Sequence, residues 1–247
     1  MNELVREALT TALTKTTLTK TTLTKGAVAK GATVQAALLK DWLQGLSALE
    51  LAGLEPARTA LASVDMTQGF CRQGALASER AAAVIPAVAD TVGRLTAHGV
   101  PDAQIAFIQD SHPEDAQEFS VYPPHCVKGS LEAEAVSELR ALPHWQDYRH
   151  FKKNSIASHT SAGFRGWLEG LEVNTIVAVG VVTDLCLYTL ALHLQTHNLA
   201  AGLGRRIVVP ETCTQTWDAP GHPGDLYHAL FLHQLGRNGV EVVREIT

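Results

Sequence analysis

A chain of 247 residues with 46% hydrophobic content is long enough to bury one large core. Its net charge of −5 leaves no basic face of the size that nucleic-acid binding needs, and no apolar run approaches the roughly 20 residues of a membrane span. The four cysteines, at 71, 126, 186 and 213, form no CxxC pair, and no secretory h-region is seen, so reduced thiols in a cytoplasmic protein are expected rather than disulfides or a structural zinc.

Residues 1–55 read as an N-terminal extension and 56–247 as the folded domain. From Leu13 to Lys25 a five-residue unit, Leu-Thr-Lys-Thr-Thr, recurs almost three times. A step of five turns a helix by about 500°, so the leucines share no helical face, and an odd period shares no strand face either. With Lys15, Lys20, Lys25 and Lys30 unopposed by acids, the segment reads as a weakly structured basic extension, or as an electrostatic arm. Thr33 to Leu51 has the pattern of an amphipathic helix.

Beyond Leu61, strands predicted at Leu61–Met66, Ile105–Asp110, Thr175–Val182, Arg206–Pro210 and Val240–Ile246 alternate with helical patterns. The helices fall at Ala77–His98, Glu132–Arg140, Phe164–Leu171, Asp184–Asn198 and Gly224–Asn238. This βαβα order predicts an α/β fold, a parallel sheet flanked by helices on both faces, with ligands beyond the carboxyl ends of the strands.

Reactive side chains stand at three of those ends. Asp65 follows the first strand, where a carboxylate serves as a general base or merely caps a turn. Asp110 and His112 follow the second, with Glu118 and His125 downstream. These are ligand types for Zn²⁺, Mn²⁺ or Fe²⁺, and the alternative is a loop of scattered polar residues. Lys152 and Lys153 come before a helix, as an oxyanion-stabilising group or a solvated pair. Cys186 lies in the first turn after the Val-rich strand, with Thr183 and Asp184 as N-cap types. A thiolate is favoured there by the helix dipole, although most free cysteines are small buried apolar residues. His193 and His197 at i, i+4 lack the glutamate of a metalloprotease and read as helix-surface residues. Gly202 and Gly204 do not open a dinucleotide site, so no nucleotide cofactor is expected.

Taken in order, Val64-Asp65-Met66 with Gly69-Phe70, Asp110-Ser111-His112, Glu118 with Tyr122-Pro-Pro-His125-Cys126-Val127, Lys153, and Gly180-Val-Val-Thr-Asp-Leu-Cys186 resemble the isochorismatase-like cysteine hydrolases, nicotinamidases in particular. The resemblance spans roughly Leu61 to Ile246. It implies a triad of Asp65, Lys153 and Cys186 and a metal site of Asp110, His112 and His125, joined in some members by the equivalent of Glu118. Zinc is the expected ion. It further implies a ring-sandwiching pair, Phe70 and Tyr122, an oxyanion hole of N–H groups at Val182 and Cys186, and a cis peptide between Val181 and Val182. The implied reaction is hydrolysis of nicotinamide through a cysteine thioester, with a small amide and further copies of the chain as partners.

The chain departs from many nicotinamidases at Thr67 and Gly69, where glutamine and aspartate are usual. Three rival readings differ at named residues. True isochorismatases replace the cysteine, amidohydrolases of carbamoyl or ureido compounds usually lack the metal ligands, and a non-catalytic binding protein predicts a broken triad.

Overall fold

In the computed structural model, which describes residues 37–247, six strands form one fully parallel sheet. They are β1 (Thr59–Val64), β2 (Ile105–Asp110), β3 (Arg149–Lys153), β4 (Thr175–Gly180), β5 (Arg206–Pro210) and β6 (Glu241–Val243), in the spatial order β3-β2-β1-β4-β5-β6. The helices are α1 (37–44), α2 (Gln68–Cys71), α3 (Glu79–Ala83), α4 (Ile85–His98), α5 (Ser137–Arg140), α6 (Ala162–Glu169), α7 (Tyr188–Ala201) and α8 (Gly224–Arg237). The lysine-rich repeat lies outside the described residues. Residues Leu39–Thr247 make one compact unit.

Strand alternation sorts the core into two layers. Leu61, Ile105, Phe107, Val177, Val179 and Val208 face α4, which contributes Ile85, Val88, Val92 and Leu95. Ala60, Ala62, Ile108, Ile176, Ala178 and Ile207 face the other way, toward Phe164 and Leu168 of α6, Leu190 and Leu194 of α7, and Leu232 and Leu235 of α8. The sheet is therefore covered on both sides, as the alternation predicted. No helix among the described residues is long and apolar enough to cross a membrane.

The order of strands reverses between β1 and β4, the neighbouring pair from which the chain leaves in opposite directions. In such sheets the crevice at this switch point is where ligands bind. Asp65 directly follows β1 and Cys186 follows β4, so both reach that crevice.

Several local expectations differ. The predicted helix Ala77–His98 breaks at Val84, where Pro86 cannot continue the hydrogen-bond ladder of α3 and instead starts α4. Of Glu132–Arg140 only the last turn is α-helical, because the backbone at Ala135 pairs with Thr67. The expected helix over Thr33–Leu51 stops before Gly45 within its described part, and Leu49 instead bridges to Ile246 at the sheet edge.

The missed element is β3. Its sequence, Arg-His-Phe-Lys-Lys, has no apolar alternation because it is an edge strand with mostly exposed residues. Pairing in register with β2 sets Lys153 directly beside Asp110. What reads as a lysine pair in a loop is the end of a strand.

Candidate active site and metal centre

Four side chains from four strand ends converge: Asp65 after β1, Asp110 at the end of β2, Lys153 at the end of β3 and Cys186 after β4. The Lys153 ammonium lies 2.7 Å from Asp65 Oδ2 and 2.6 Å from Asp110 Oδ1, with Cys186 Sγ at 3.8 Å. All are buried; Cys186 is 4% exposed. The other Asp65 oxygen accepts the Asp110 backbone N–H at 3.0 Å. Strand alternation separates the two lysines: Lys152 turns to the opposite face and donates to Gln109 and to the Ala133 carbonyl.

The approach of Cys186 depends on the end of β4. Gly180 has φ +114°, and a Cβ there would sit 2.0 Å from the Val64 carbonyl oxygen, so only glycine lets β4 pass this close to β1. The Val181–Val182 peptide is cis, as the resemblance implied. The following turn, Thr183–Leu187, is a π-turn leading into α7. Thr183 and Asp184 do not cap it. Thr183 Oγ1 bonds His228 and Thr214, and Asp184 bonds Thr216 and His222, so the pair ties the nucleophile turn to α8 and to the segment after β5.

Electrostatics divide the labour. Burial and the neighbouring Asp110 push Asp65 up from 3.8 to about 6, against the pull of Lys153. Burial acts on Asp110 the same way, but the Lys153 charge and contacts from His112 and His125 outweigh it and hold its carboxyl below the usual range. Lys153 stays protonated because Asp65, Cys186 and Asp110 overcome its desolvation. Burial, with Asp65 and Asp110, raises the Cys186 thiol well above its ordinary value despite Lys153. These influences run against the expected dipole-favoured thiolate, and Asp65 is the adjacent proton acceptor. Cys71, Cys126 and Cys213 are also buried and raised. Among the described residues, only Cys186 has a lysine ammonium within hydrogen-bond distance of its sulfur.

Next to Asp65, Lys153 and Cys186, the side chains of Asp110, His112 and His125 offer ligand atoms all within 4.8 Å of one another. Asp110 Oδ2 is 3.5 Å from His112 Nε2 and 3.8 Å from His125 Nε2. Asp110 Oδ2 and His112 Nε2, 3.5 Å apart, are both buried without a hydrogen-bond partner, a costly arrangement that a divalent cation between them relieves. His125 Nδ1 pairs with the Pro123 carbonyl at 2.8 Å, which leaves Nε2 to face an ion. One carboxylate oxygen and two imidazoles fit zinc, manganese or iron. Glu118 sits half-buried on the neighbouring loop, outside this trio, with its carboxyl raised by burial and by Asp110.

A cavity of about 570 Å³ opens beside the nucleophile turn. Phe70, Tyr122, Val182, Leu185 and Trp217 line it. Phe70 and Tyr122 flank His125, with ring centroids at 5.5 and 6.4 Å. Trp217 was not singled out in the sequence. Its ring lies parallel to His222 at 3.9 Å, and His222 in turn is held 2.7 Å from the buried Asp184. Arg80 braces the same wall through Gln215, Thr216 and Asp218. No sequence signal joins these residues, because more than 130 positions separate Arg80 from the segment it holds.

His193 and His197 lie apart from the metal trio, partly buried on α7, and His159 stacks on His193 at 4.3 Å. Burial, then His159 and His197, press His193 down from 6.5 to about 4. Below pH 6.5 the unfolded chain takes up a proton that the folded state refuses, so stability falls from about pH 6.5 toward 4. Discounting for solvent screening, His193→Gln should recover on the order of 1 kcal/mol at pH 5, or about 2–4 °C in Tm, and nothing at pH 8. Thermal melts at the two pH values check this.

The family model described as the isochorismatase domain matches residues 59–242. The chain is 27% identical to nicotinamidase 1 of Arabidopsis thaliana over 76% of its own length and 86% of that protein's. Its fold is similar to a cysteine hydrolase from Pseudomonas syringae (TM-score 0.65, 18% identity, 77% of this chain and 90% of that one). It is also similar to a pyrazinamidase of Pyrococcus horikoshii solved in complex with zinc (TM-score 0.61, 24% identity, 76% and 99%). The parallel sheet, the strand-end constellation and a match running from β1 into β6 agree: the chain belongs to the isochorismatase family of hydrolases.

Proposed function

We propose that this protein is a metal-containing nicotinamidase, which hydrolyses nicotinamide to nicotinate and ammonia through a thioester on Cys186. The observation that carries the reading is the Lys153 ammonium held between Asp65 and Asp110 with Cys186 Sγ at 3.8 Å. The relationship to the plant nicotinamidase supports it.

In the first half-reaction Asp65 takes the Cys186 proton and sulfur attacks the amide carbon, while Lys153 balances the charge. N–H groups at Val182 and Cys186 hold the oxyanion. Asp65 passes the proton to the amide nitrogen, the C–N bond breaks, and ammonia leaves. Water then gives a proton to Asp65 and attacks the thioester. The C–S bond breaks and the thiol recovers its proton. Phe70, Tyr122 and Trp217 bind the flat ring. Asp110, His112 and His125, with Glu118 nearby, would hold the divalent ion, zinc by preference. Such an ion supplies a Lewis acid for the ring nitrogen and nearby water.

The test is ammonia release from nicotinamide by wild-type protein as purified, after chelation, and after zinc is restored. Release that disappears with the metal and returns with it supports the reading. No release from zinc-loaded protein rejects nicotinamide, and N-carbamoyl substrates assayed alongside would then identify a ureido hydrolase. Trp217→Ala should raise KM about tenfold and leave kcat within about threefold, since it removes ring contact and no reacting group. Steady-state kinetics on nicotinamide decide that.

A further inference from the structure

Cys126 joins the two histidines of the metal trio. It directly follows His125, and its carbonyl accepts the His112 N–H at 3.0 Å, while Lys128 N–H donates to the His112 carbonyl at 2.8 Å. Its backbone has φ +43°, a left-handed conformation that a residue with a Cβ adopts only where its surroundings hold it.

What holds it is Glu132. One carboxylate oxygen accepts the Cys126 N–H at 3.1 Å, and the Glu132 carbonyl accepts the Cys126 thiol at 3.4 Å. The surrounding chain leaves room for this and little else. A Cβ at Gly69 would lie 2.7 Å from Cys126 Sγ and 3.1 Å from Glu132 Cβ, and one at Gly74 would lie 2.5 Å from the Glu132 carboxylate. Among the described residues no lysine or arginine pairs with Glu132, so its acceptor oxygen is aimed at the Cys126 turn and not at a surface cation.

We propose that Glu132 is the positioning residue of the metal centre: by holding Cys126 in its left-handed turn it keeps His112 and His125 facing Asp110. It touches neither ligand atom nor substrate. The inference rests on reading Asp110, His112 and His125 as metal ligands.

The test measures zinc affinity by competition with a chromogenic chelator, and separately the alkylation rate of Cys126 in metal-free protein by peptide mass spectrometry. Glu132→Ala should weaken zinc at least tenfold and speed Cys126 alkylation at least tenfold, with folding checked by circular dichroism. Glu132→Gln keeps an acceptor oxygen at the same reach and should stay within threefold of wild type in both. Glu132→Asp is too short and should behave like alanine. A folded alanine variant with wild-type affinity and alkylation overturns the proposal. If alanine fails to fold, the Asp and Gln pair decides, and equal behaviour of the two overturns it. A wild type that binds no zinc refutes the metal reading, and the alkylation arm then judges Glu132 by itself.

Discussion

Replacing Cys186 by alanine should lower ammonia release from nicotinamide by a factor of about 10³ or more, because no other group in the crevice can form the acyl intermediate. The other three cysteines lie away from the Asp65–Lys153 pair, and among the described residues no lysine reaches their sulfur atoms, so none can substitute. Nicotinamide binding should persist, since Phe70, Tyr122 and Trp217 line the cavity independently of the thiol. Calorimetry on the alanine variant should therefore give a Kd within about threefold of the wild-type KM-derived value, if chemistry is slower than dissociation. Stability should change little. The thiol is a small group, and alanine keeps its Cβ packing in the core. Cys186→Ser should be nearly as inactive, because Asp65 with a pKa of about 6 is too weak a base for a hydroxyl. Acid-quenched wild type should carry an acyl adduct on the Cys186 peptide, absent from both variants. Wild-type turnover by the alanine variant would exclude a cysteine mechanism.

The layers of this fold were legible because they follow from repetition. The Val-rich run at 175–182 and the apolar runs at 61–66 and 105–110 are buried on both faces and read as strands without further help. Asp65, Asp110 and Cys186 were legible for a related reason: each sits where such a run stops, and parallel sheets gather their strand ends. The failures also have physical causes. β3 lacked a signal because an edge strand buries almost nothing, yet it delivers the lysine set between Asp65 and Asp110. The ionisation of Cys186 was only partly legible, because position on a helix speaks of the dipole alone. Burial beside two carboxylates pushes the thiol the other way. Trp217, Arg80 and His222 were invisible because each acts through contacts between segments distant in sequence, and Glu132, six residues from Cys126, belongs to no motif.

The stability of the site itself should fail when Lys153 is replaced by methionine. The wild-type ammonium is buried between two carboxylates at 2.7 and 2.6 Å, and methionine fills the slot without the charge. Breaking a buried pair from one side costs about 3–5 kcal/mol, or roughly 6–20 °C in Tm for a chain of this size. Activity should fall by about 10³ or more for a separate reason. Lys153 is what restrains the rise of Asp65, and without it that carboxyl stays protonated near neutral pH and can no longer take the Cys186 proton. The sign of the pH dependence separates charge from shape. A carboxyl whose folded pKa lies above 3.8 makes the folded state bind more protons than the unfolded one, so its contribution weakens as pH rises through that folded value. In the variant this value lies higher still, so the Tm deficit relative to wild type should be larger at pH 8 than at pH 5. A deficit of equal size at both would mean that methionine fails by packing, and that the charge of Lys153 is not what holds Asp65 and Asp110 together.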